Sequence, residues 1–362
     1  MAKWENNVRK VVPYTPGEQP KIRDLIKLNT NENPYPPSAR VLEALRSLDG
    51  DALRRYPDPA SSKLTEAIAL WCGVPSECVF AGVGSDDVLA MSFLTFFASG
   101  RPVLFPDITY SFYDVWADLF RIPYETQPLD ESFRIVNRDY FRENGGIVFP
   151  NPNAPTGVMK DLDSVREILD HNRDVVVIVD EAYIDFSDGE DGKVPSAGSA
   201  MHLLDRYENL LVVQTFSKSR SMAGMRIGFA VGAPKLIRYL NDAKYSFNSY
   251  TMNQTAIAAG TAAAEDTEYF AQCVGKIKAT RKKTEEALRE LGFSFPRSQS
   301  NFLFVTHESV PAKELFTALR AEKIFVRYFE KPRIDNYLRI TIGSDEEMDA
   351  LIAFLKDYLK KL

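Results

Sequence analysis

The chain is poor in the residues that staple or metallate a fold. Three cysteines, Cys72, Cys78 and Cys273, are too few and too irregularly spaced for a disulfide framework or a zinc cluster. Three histidines, His171, His202 and His307, lie far apart in no ligand-like pattern, so an all-protein metal site is not expected. Positive charge is not in excess. The 44 Lys and Arg against 50 Asp and Glu leave −6, the opposite of what a phosphate-backbone binder needs, so no nucleic-acid partner is expected. No run approaches the ~18 apolar residues of a membrane span. The longest, Val88–Ala98, contains Ser92 and Thr95 and reads as a buried helix. The opening MAKWENNVRK has no apolar core of signal type. Internal repeats and low-complexity tracts are missing as well. The expectation is a cytoplasmic globular protein with no membrane partner.

What is present is a chain of 362 residues, 45% hydrophobic and 26% charged, long enough for two domains. Residues 1–36, rich in Pro, Asn and charge, read as an extended arm. From about residue 60, helical stretches such as Ser61–Cys72 and Ser85–Ala98 alternate with short β-branched runs: Val103–Phe105, Ile147–Phe149, Val175–Val179, Leu210–Thr215 and Ile227–Val231. Several runs are apolar at every position, the signature of strands buried on both faces of a parallel sheet in an α/β layer fold. Beyond residue 250 the texture changes. Asn253–Leu291, free of proline, reads as one long helix or two in succession. Strands at Asn301–Val305, Ile324–Tyr328 and Tyr337–Ile342, with helices at Pro311–Lys323 and Asp345–Leu362, make a smaller α+β unit. The expected organisation is an arm (1–36), a large domain (37–250) and a small domain (251–362), with the change inside 245–290.

In doubly wound folds, ligands bind beyond the carboxyl ends of the strands. Three strands deliver polar residues there. Ile147–Phe149 is followed by Asn151-Pro152-Asn153-Ala154-Pro155-Thr156-Gly157, Val175–Val179 by Asp180-Glu181-Ala182-Tyr183, and Leu210–Thr215 by Phe216-Ser217-Lys218, with Arg226 eight residues past the lysine. Gly84-Ser85-Asp86-Asp87 follows the apolar Cys78–Val83 run and opens a helix, where backbone N–H groups suit an anion. Taken singly, each segment is a turn or a cap. Taken together and in this order, they are far more specific.

This combination resembles the fold type I, pyridoxal-phosphate-dependent aminotransferases over nearly the whole chain. The resemblance implies a large domain with a mostly parallel seven-stranded sheet, a small α+β domain, and pyridoxal 5′-phosphate as cofactor. Lys218 is then the amine that holds the cofactor aldehyde, Asp180 the carboxylate that keeps the pyridine nitrogen protonated, and Tyr183 the donor to the 3-oxygen. Gly84, Ser85, Asp86, Thr215, Ser217 and Arg226 surround the phosphate, and Tyr110 lies over the ring. The family usually has Asn directly before Pro-Thr-Gly. Here that position is Ala154, and Asn153, one place earlier, is the candidate for its contact.

Leu28-Asn29-Thr30-Asn31-Glu32-Asn33-Pro34 and Arg55-Tyr56-Pro57-Asp58 are similar to segments of histidinol-phosphate aminotransferases. That similarity implies a homodimer in which Tyr56 reaches the neighbouring subunit's cofactor phosphate. It also implies a substrate site using Tyr14, Glu32, Arg327 and Arg339, with Asn31 and Glu32 as candidates for reading the imidazole. The reaction implied is amino-group exchange between L-histidinol phosphate and 2-oxoglutarate in histidine biosynthesis. The alternatives on the same scaffold are an aromatic amino-acid aminotransferase, a threonine-phosphate decarboxylase, and a non-catalytic regulatory protein. Regulators of that type carry an added DNA-binding domain, for which 362 residues leave no room.

Overall fold

An uninterrupted apolar run such as Val177-Ile178-Val179 is stable as a strand only when both faces are covered, because successive side chains point opposite ways. The computed structural model, which describes residues 3–361, has this arrangement. Val177 and Val179 enter one hydrophobic core and Ile178 another. Ile147 and Phe149 part from Val148 in the same way, as Leu210 and Val212 part from Leu211 and Val213.

The first strand, β1 (Ile26–Lys27), belongs to the N-terminal segment. Strands β2 (Val79–Gly82), β3 (Val103–Pro106), β4 (Tyr124–Gln127), β5 (Gly146–Pro150), β6 (Val177–Asp180), β7 (Leu210–Thr215) and β8 (Gly228–Gly232) form a seven-stranded sheet. Its order is β2-β8-β7-β6-β5-β3-β4. Only β8 runs against its neighbours, so the sheet is mostly parallel, as expected. The parallel register aligns Pro150 with Asp180 and Asp180 with Val213, which puts the ends of β5, β6 and β7 on one edge.

The remaining strands are β9 (Phe293–Ser294), β10 (Phe302–His307), β11 (Ile324–Phe325), β12 (Arg327–Tyr328) and β13 (Leu338–Thr341). An antiparallel sheet β12-β13-β10-β9 covers its own core, which Leu28 of the N-terminal segment also enters. The strand expected over Ile324–Tyr328 is broken. β11 pairs in parallel with β1, and β12 joins β13. The proline-free stretch is two helices, Gln254–Glu265 and Thr267–Glu290, parted at Asp266, whose carboxylate accepts from the Tyr269 N–H. The first packs Ala256, Ala259 and Ala263 on the core of the large sheet, while Phe270, Val274 and Ile277 of the second join the other core.

The two units meet along one side through Phe304 and Ile334, which pack on Ile108, Leu129 and Phe133. Arg333 donates to Asp107 Oδ2 (3.1 Å) and to the carbonyls of Leu129 (2.8 Å) and Asp130 (2.9 Å). Among the described residues, no helix is long and apolar enough to cross a membrane.

One close approach fixes the turn at the head of the helix Ser85–Phe96. Gly228, opposite Gly82 in the sheet, lies so near this turn that a Cβ there would overlap Ser85 N and the Gly84 carbonyl carbon. Gly228→Ala must push that turn aside, and overpacking of this kind costs about 1–3 kcal/mol. The shift in the urea midpoint at unchanged slope measures it, and a loss below ~0.5 kcal/mol would show that the turn yields freely.

Candidate active site

The common edge of β5, β6 and β7 opens into a cavity of about 170 Å³. Asp180, Tyr183, Thr215, Ser217, Lys218, Ser85, Asp86, Tyr110, Arg226 and Glu32 all line it, together with Ala154 and Thr30. Residues separated by up to 196 positions in the sequence are thus brought together, several of them just after a strand or at the start of a helix.

Asp180 closes β6 and is 4% exposed. It accepts from the Tyr113 hydroxyl (2.8 Å) and the Ala182 N–H (3.2 Å), and among the described residues it has no cationic partner. Burial pushes its pKa up to about 6, against the pull of these two donors. Lys218 donates to the Thr30 carbonyl (3.0 Å), and its amine stands 5.8 Å from the Tyr183 ring centre. Burial first, then the Arg339 charge, bring it down to about 8. The loop carrying Lys218 is tied down by Asn33, whose amide donates to the carbonyls of Lys218 (3.0 Å) and Ser219 (3.3 Å).

The anion end of the cavity lies at the N-terminus of the helix Ser85–Phe96, capped by Gly84 at φ 86° with no side-chain cap bond. A side chain at Gly84 would overlap the Arg226 guanidinium, so glycine is needed both for the backbone angle and for the room. Arg226 reaches Ser217 Oγ (3.3 Å) and Asp86 Oδ2 (3.1 Å). Asp86 Oδ1 accepts from the Tyr110 hydroxyl (2.8 Å), and Thr215 Oγ1 donates to Ser217 Oγ (3.0 Å).

Other expected residues are placed differently. Arg327 and Arg339 are direct cross-strand partners on β12 and β13. Like charges directly opposite repel, yet among the described residues neither has an ion-pair partner. Arg339 donates to the Asn29 carbonyl (3.0 Å), lies against Phe302 and Phe329, and leaves its buried Nε without an acceptor. Tyr14 stacks on Phe112 (4.2 Å between centroids), and the charges of Arg327 and Arg339 act on its hydroxyl. Glu32 is bound by Lys27 and by Thr30 Oγ1 (2.7 Å), and these bonds outweigh the effect of burial and hold its pKa low.

Asn153 does not line the cavity. Its amide donates to the Ile108 carbonyl and to Thr156 Oγ1 (both 3.0 Å), and it faces a separate, wider cleft, while the Ala154 methyl takes the cavity wall. The geometry expected of Asn153 is not the one observed, because one bond to Thr156 within its loop and one to Ile108 in the loop after β3 turn its amide away from the cavity. Asn31 is 1% exposed and off the cavity wall, so it has no free group for an imidazole. Tyr56 is also away from the cavity, 79% exposed and stacked on Tyr250 (4.5 Å). Nothing in the sequence singles out Tyr113, the partner of Asp180. It reads as one more core aromatic at the start of a helix, and its role depends on a contact across 67 residues.

The raised pKa of Asp180 has a consequence for stability. Above about pH 6 the folded protein holds an ionised carboxylate at a cost. As pH falls from 6 towards the ordinary value of 3.8, the folded state takes up a proton that the unfolded state does not, and the cost is relieved. Without ligand, Asp180→Asn should therefore exceed wild type in unfolding free energy by roughly 2–3 kcal/mol at pH 8 and by less than about 1 kcal/mol at pH 4. Equal differences at the two pH values would show that this carboxyl is not perturbed.

The profile of the family described as aminotransferase class I and II matches residues 23–355. Histidinol-phosphate aminotransferase of Clostridium beijerinckii is 48% identical over 98% of this chain and 96% of its own length. Histidinol-phosphate aminotransferase 1 of Hydrogenovibrio crunogenus is 51% identical over 99% and 98%. Among solved structures, histidinol-phosphate aminotransferase of Sinorhizobium meliloti in complex with pyridoxal-5′-phosphate superposes with a TM-score of 0.82 at 23% identity, covering 92% of this chain and 90% of that one. L-threonine-O-3-phosphate decarboxylase of Porphyromonas gingivalis shares the fold at a TM-score of 0.72 and 18% identity, covering 88% and 97%. By the reach of the profile and by half identity sustained along nearly the whole length, this chain belongs to the class I and II aminotransferases and, within them, groups with the histidinol-phosphate aminotransferases.

Proposed function

We propose that this chain transfers the amino group of L-histidinol phosphate to 2-oxoglutarate, giving imidazole-acetol phosphate and L-glutamate, as a reversible step of histidine biosynthesis in the cytoplasm. The observation that carries the reading is the Arg327–Arg339 pair, two cations set opposite each other on neighbouring strands, off the cavity wall but near enough for the Arg339 charge to act on Lys218, and among the described residues with no carboxylate paired to either. Such a pair calls for an anionic ligand group. Histidinol phosphate offers a phosphate there and glutamate a carboxylate, and a guanidinium fork suits both.

The cavity residues fit pyridoxal phosphate. Ser85, Ser217, Thr215 and Arg226 at a helix N-terminus suit its phosphate. Asp180, buried without a cation, suits a protonated ring nitrogen. Tyr183 and Tyr110 are placed to serve the 3-oxygen and one ring face. When bound, the cofactor supplies the electron sink that stabilises negative charge at the substrate carbon. The rest is the work of side chains. With a pKa brought down to about 8, Lys218 gives up its proton near neutrality far more readily than an ordinary lysine. It can therefore serve first as the amine that holds the cofactor and then as the base that takes the proton from the substrate carbon and returns it. Asp180 keeps the ring nitrogen protonated, and its bonds from Tyr113 and Ala182 fix the carboxylate plane.

The reading includes a homodimer with shared sites. Leu53, Tyr56, Phe247 and Tyr250 are exposed apolar side chains around the Tyr56–Tyr250 stack, a surface suited to a second copy, with Tyr56 contributing to the partner subunit's phosphate end.

Two experiments test the proposal. Arg339→Ala should lower kcat/KM about 10- to 150-fold in both half-reactions, since a charge-assisted pair is lost in each. Wild type should already turn over unphosphorylated histidinol poorly. Efficient use of free histidinol or of phenylalanine and tyrosine in a substrate panel would favour an aromatic amino-acid aminotransferase instead. For the shared site, inactive Lys218→Ala chains are mixed with Tyr56→Ala chains impaired in cofactor retention. Heterodimers should regain activity, because one of their two sites is intact. No recovery after verified subunit exchange would remove Tyr56 from the partner's site.

A further inference from the structure

The Tyr183 hydroxyl accepts a hydrogen bond from Asn31 Nδ2 (2.9 Å), and among the described residues it donates to nothing. Position 154, which also lines the cavity, is an alanine and offers no side-chain amide there. Asn31 itself is held from three directions. Its N–H donates to Thr341 Oγ1 (3.0 Å), its Oδ1 accepts from the same hydroxyl (3.1 Å), and its carbonyl accepts from Asn301 Nδ2 (3.0 Å). Thr341 and Asn301 belong to the small unit and Tyr183 to the turn after β6, so the amide bridges two parts of the molecule. Its φ of 56° lies in the left-handed region that asparagine tolerates better than most residues.

From this juxtaposition we propose that Asn31 is a positioning residue that fills the acceptor side of the Tyr183 oxygen and so directs its one proton into the cavity. An N–H bond to the phenol oxygen also polarises the O–H and makes it a stronger donor. Burial keeps the phenol protonated, which preserves that proton for donation. The inference rests on the reading above, in which this hydroxyl serves the cofactor's 3-oxygen. Asn31 is then a support for cofactor electronics and not a reader of the imidazole.

The test is a pH titration of the visible absorbance of the bound cofactor in four holoenzymes: wild type, Asn31→Gly, Tyr183→Phe and the double variant. Glycine is chosen because it accepts φ 56° without strain. A donor to the 3-oxygen stabilises its anion, so loss of that donor raises the proton affinity of the chromophore. Tyr183→Phe should raise the midpoint. Asn31→Gly should raise it in the same direction by about 0.3–1 unit, the scale of one neutral hydrogen bond. The double variant should match Tyr183→Phe alone. The charged and titratable groups around Tyr183 are Arg339, Asp180, Asp86, Lys218, Tyr14, Tyr110 and Tyr113, and all are unchanged across the set. An unmoved midpoint, or a further shift when Asn31→Gly is added to Tyr183→Phe, would overturn the proposal. A downward shift would overturn it too, because the amide would then be reversed and the phenol proton spent on Oδ1. Should Asn31→Gly not fold, Thr341→Val loosens the same amide and should raise the midpoint by a smaller amount. Wild-type protein that takes up no cofactor would instead refute the underlying reading, an outcome distinct from all of these.

Discussion

The carboxyl ends of β5, β6 and β7 place ionisable side chains where water is scarce, and desolvation then moves them in opposite directions. The Asp180 carboxyl is driven up and the Lys218 amine down, so each approaches neutrality. Neither satisfies the other, since Lys218 is tied to Thr30 and Asp180 to Tyr113. A buried carboxylate with no cation beside it among the described residues, and an amine that gives up its proton more readily than an ordinary lysine, are complementary to a ligand that is cationic at one point and electrophilic at another. The sheet makes this possible, because strands covered on both faces can end only at an edge, and parallel strands end at the same one.

The second requirement is met from outside the large sheet. Residues 26–33 pair through β1 with β11, bury Leu28 in the smaller core, and pass the Thr30 carbonyl to Lys218 and the Asn33 amide to the loop behind it. The same segment presents the Asn29 carbonyl to Arg339 and the Asn31 amide to Tyr183. A stretch with hardly any regular secondary structure of its own thus holds the cavity edge of the sheet and Arg339 in a common frame.

How much of this the sequence reveals depends on the range of the interaction. Buried strands announce themselves as unbroken apolar runs, and the residues that follow them are the site, so Asp180, Lys218 and Arg226 were legible. The edge strand β4 was not, because Glu125 and Thr126 are exposed and Tyr124 only half-buried, so the segment shows no apolar run and reads as loop. The break at Asp266 was ambiguous because an aspartate cap ends one helix and starts the next without proline or glycine. Tyr113 beside Asp180 and the bond from Asn31 to Tyr183 were hidden because the partners lie 67 and 152 residues away. Asn153 misled for the converse reason. A one-residue offset looks trivial in the sequence, but in the folded loop it sends the side chain to Ile108 and Thr156.

The unneutralised arginine pair has one more effect. On the proposed reading, two fixed guanidiniums select by charge before they select by shape, and the pair acts as a small ion exchanger. Inorganic phosphate and sulfate carry the same charge as the group it is suited to hold, and at buffer concentrations they compete for the same place while also screening it. An apparent KM obtained in phosphate buffer then contains the affinity of the buffer, and preparations differing only in their salts would be ranked as different enzymes.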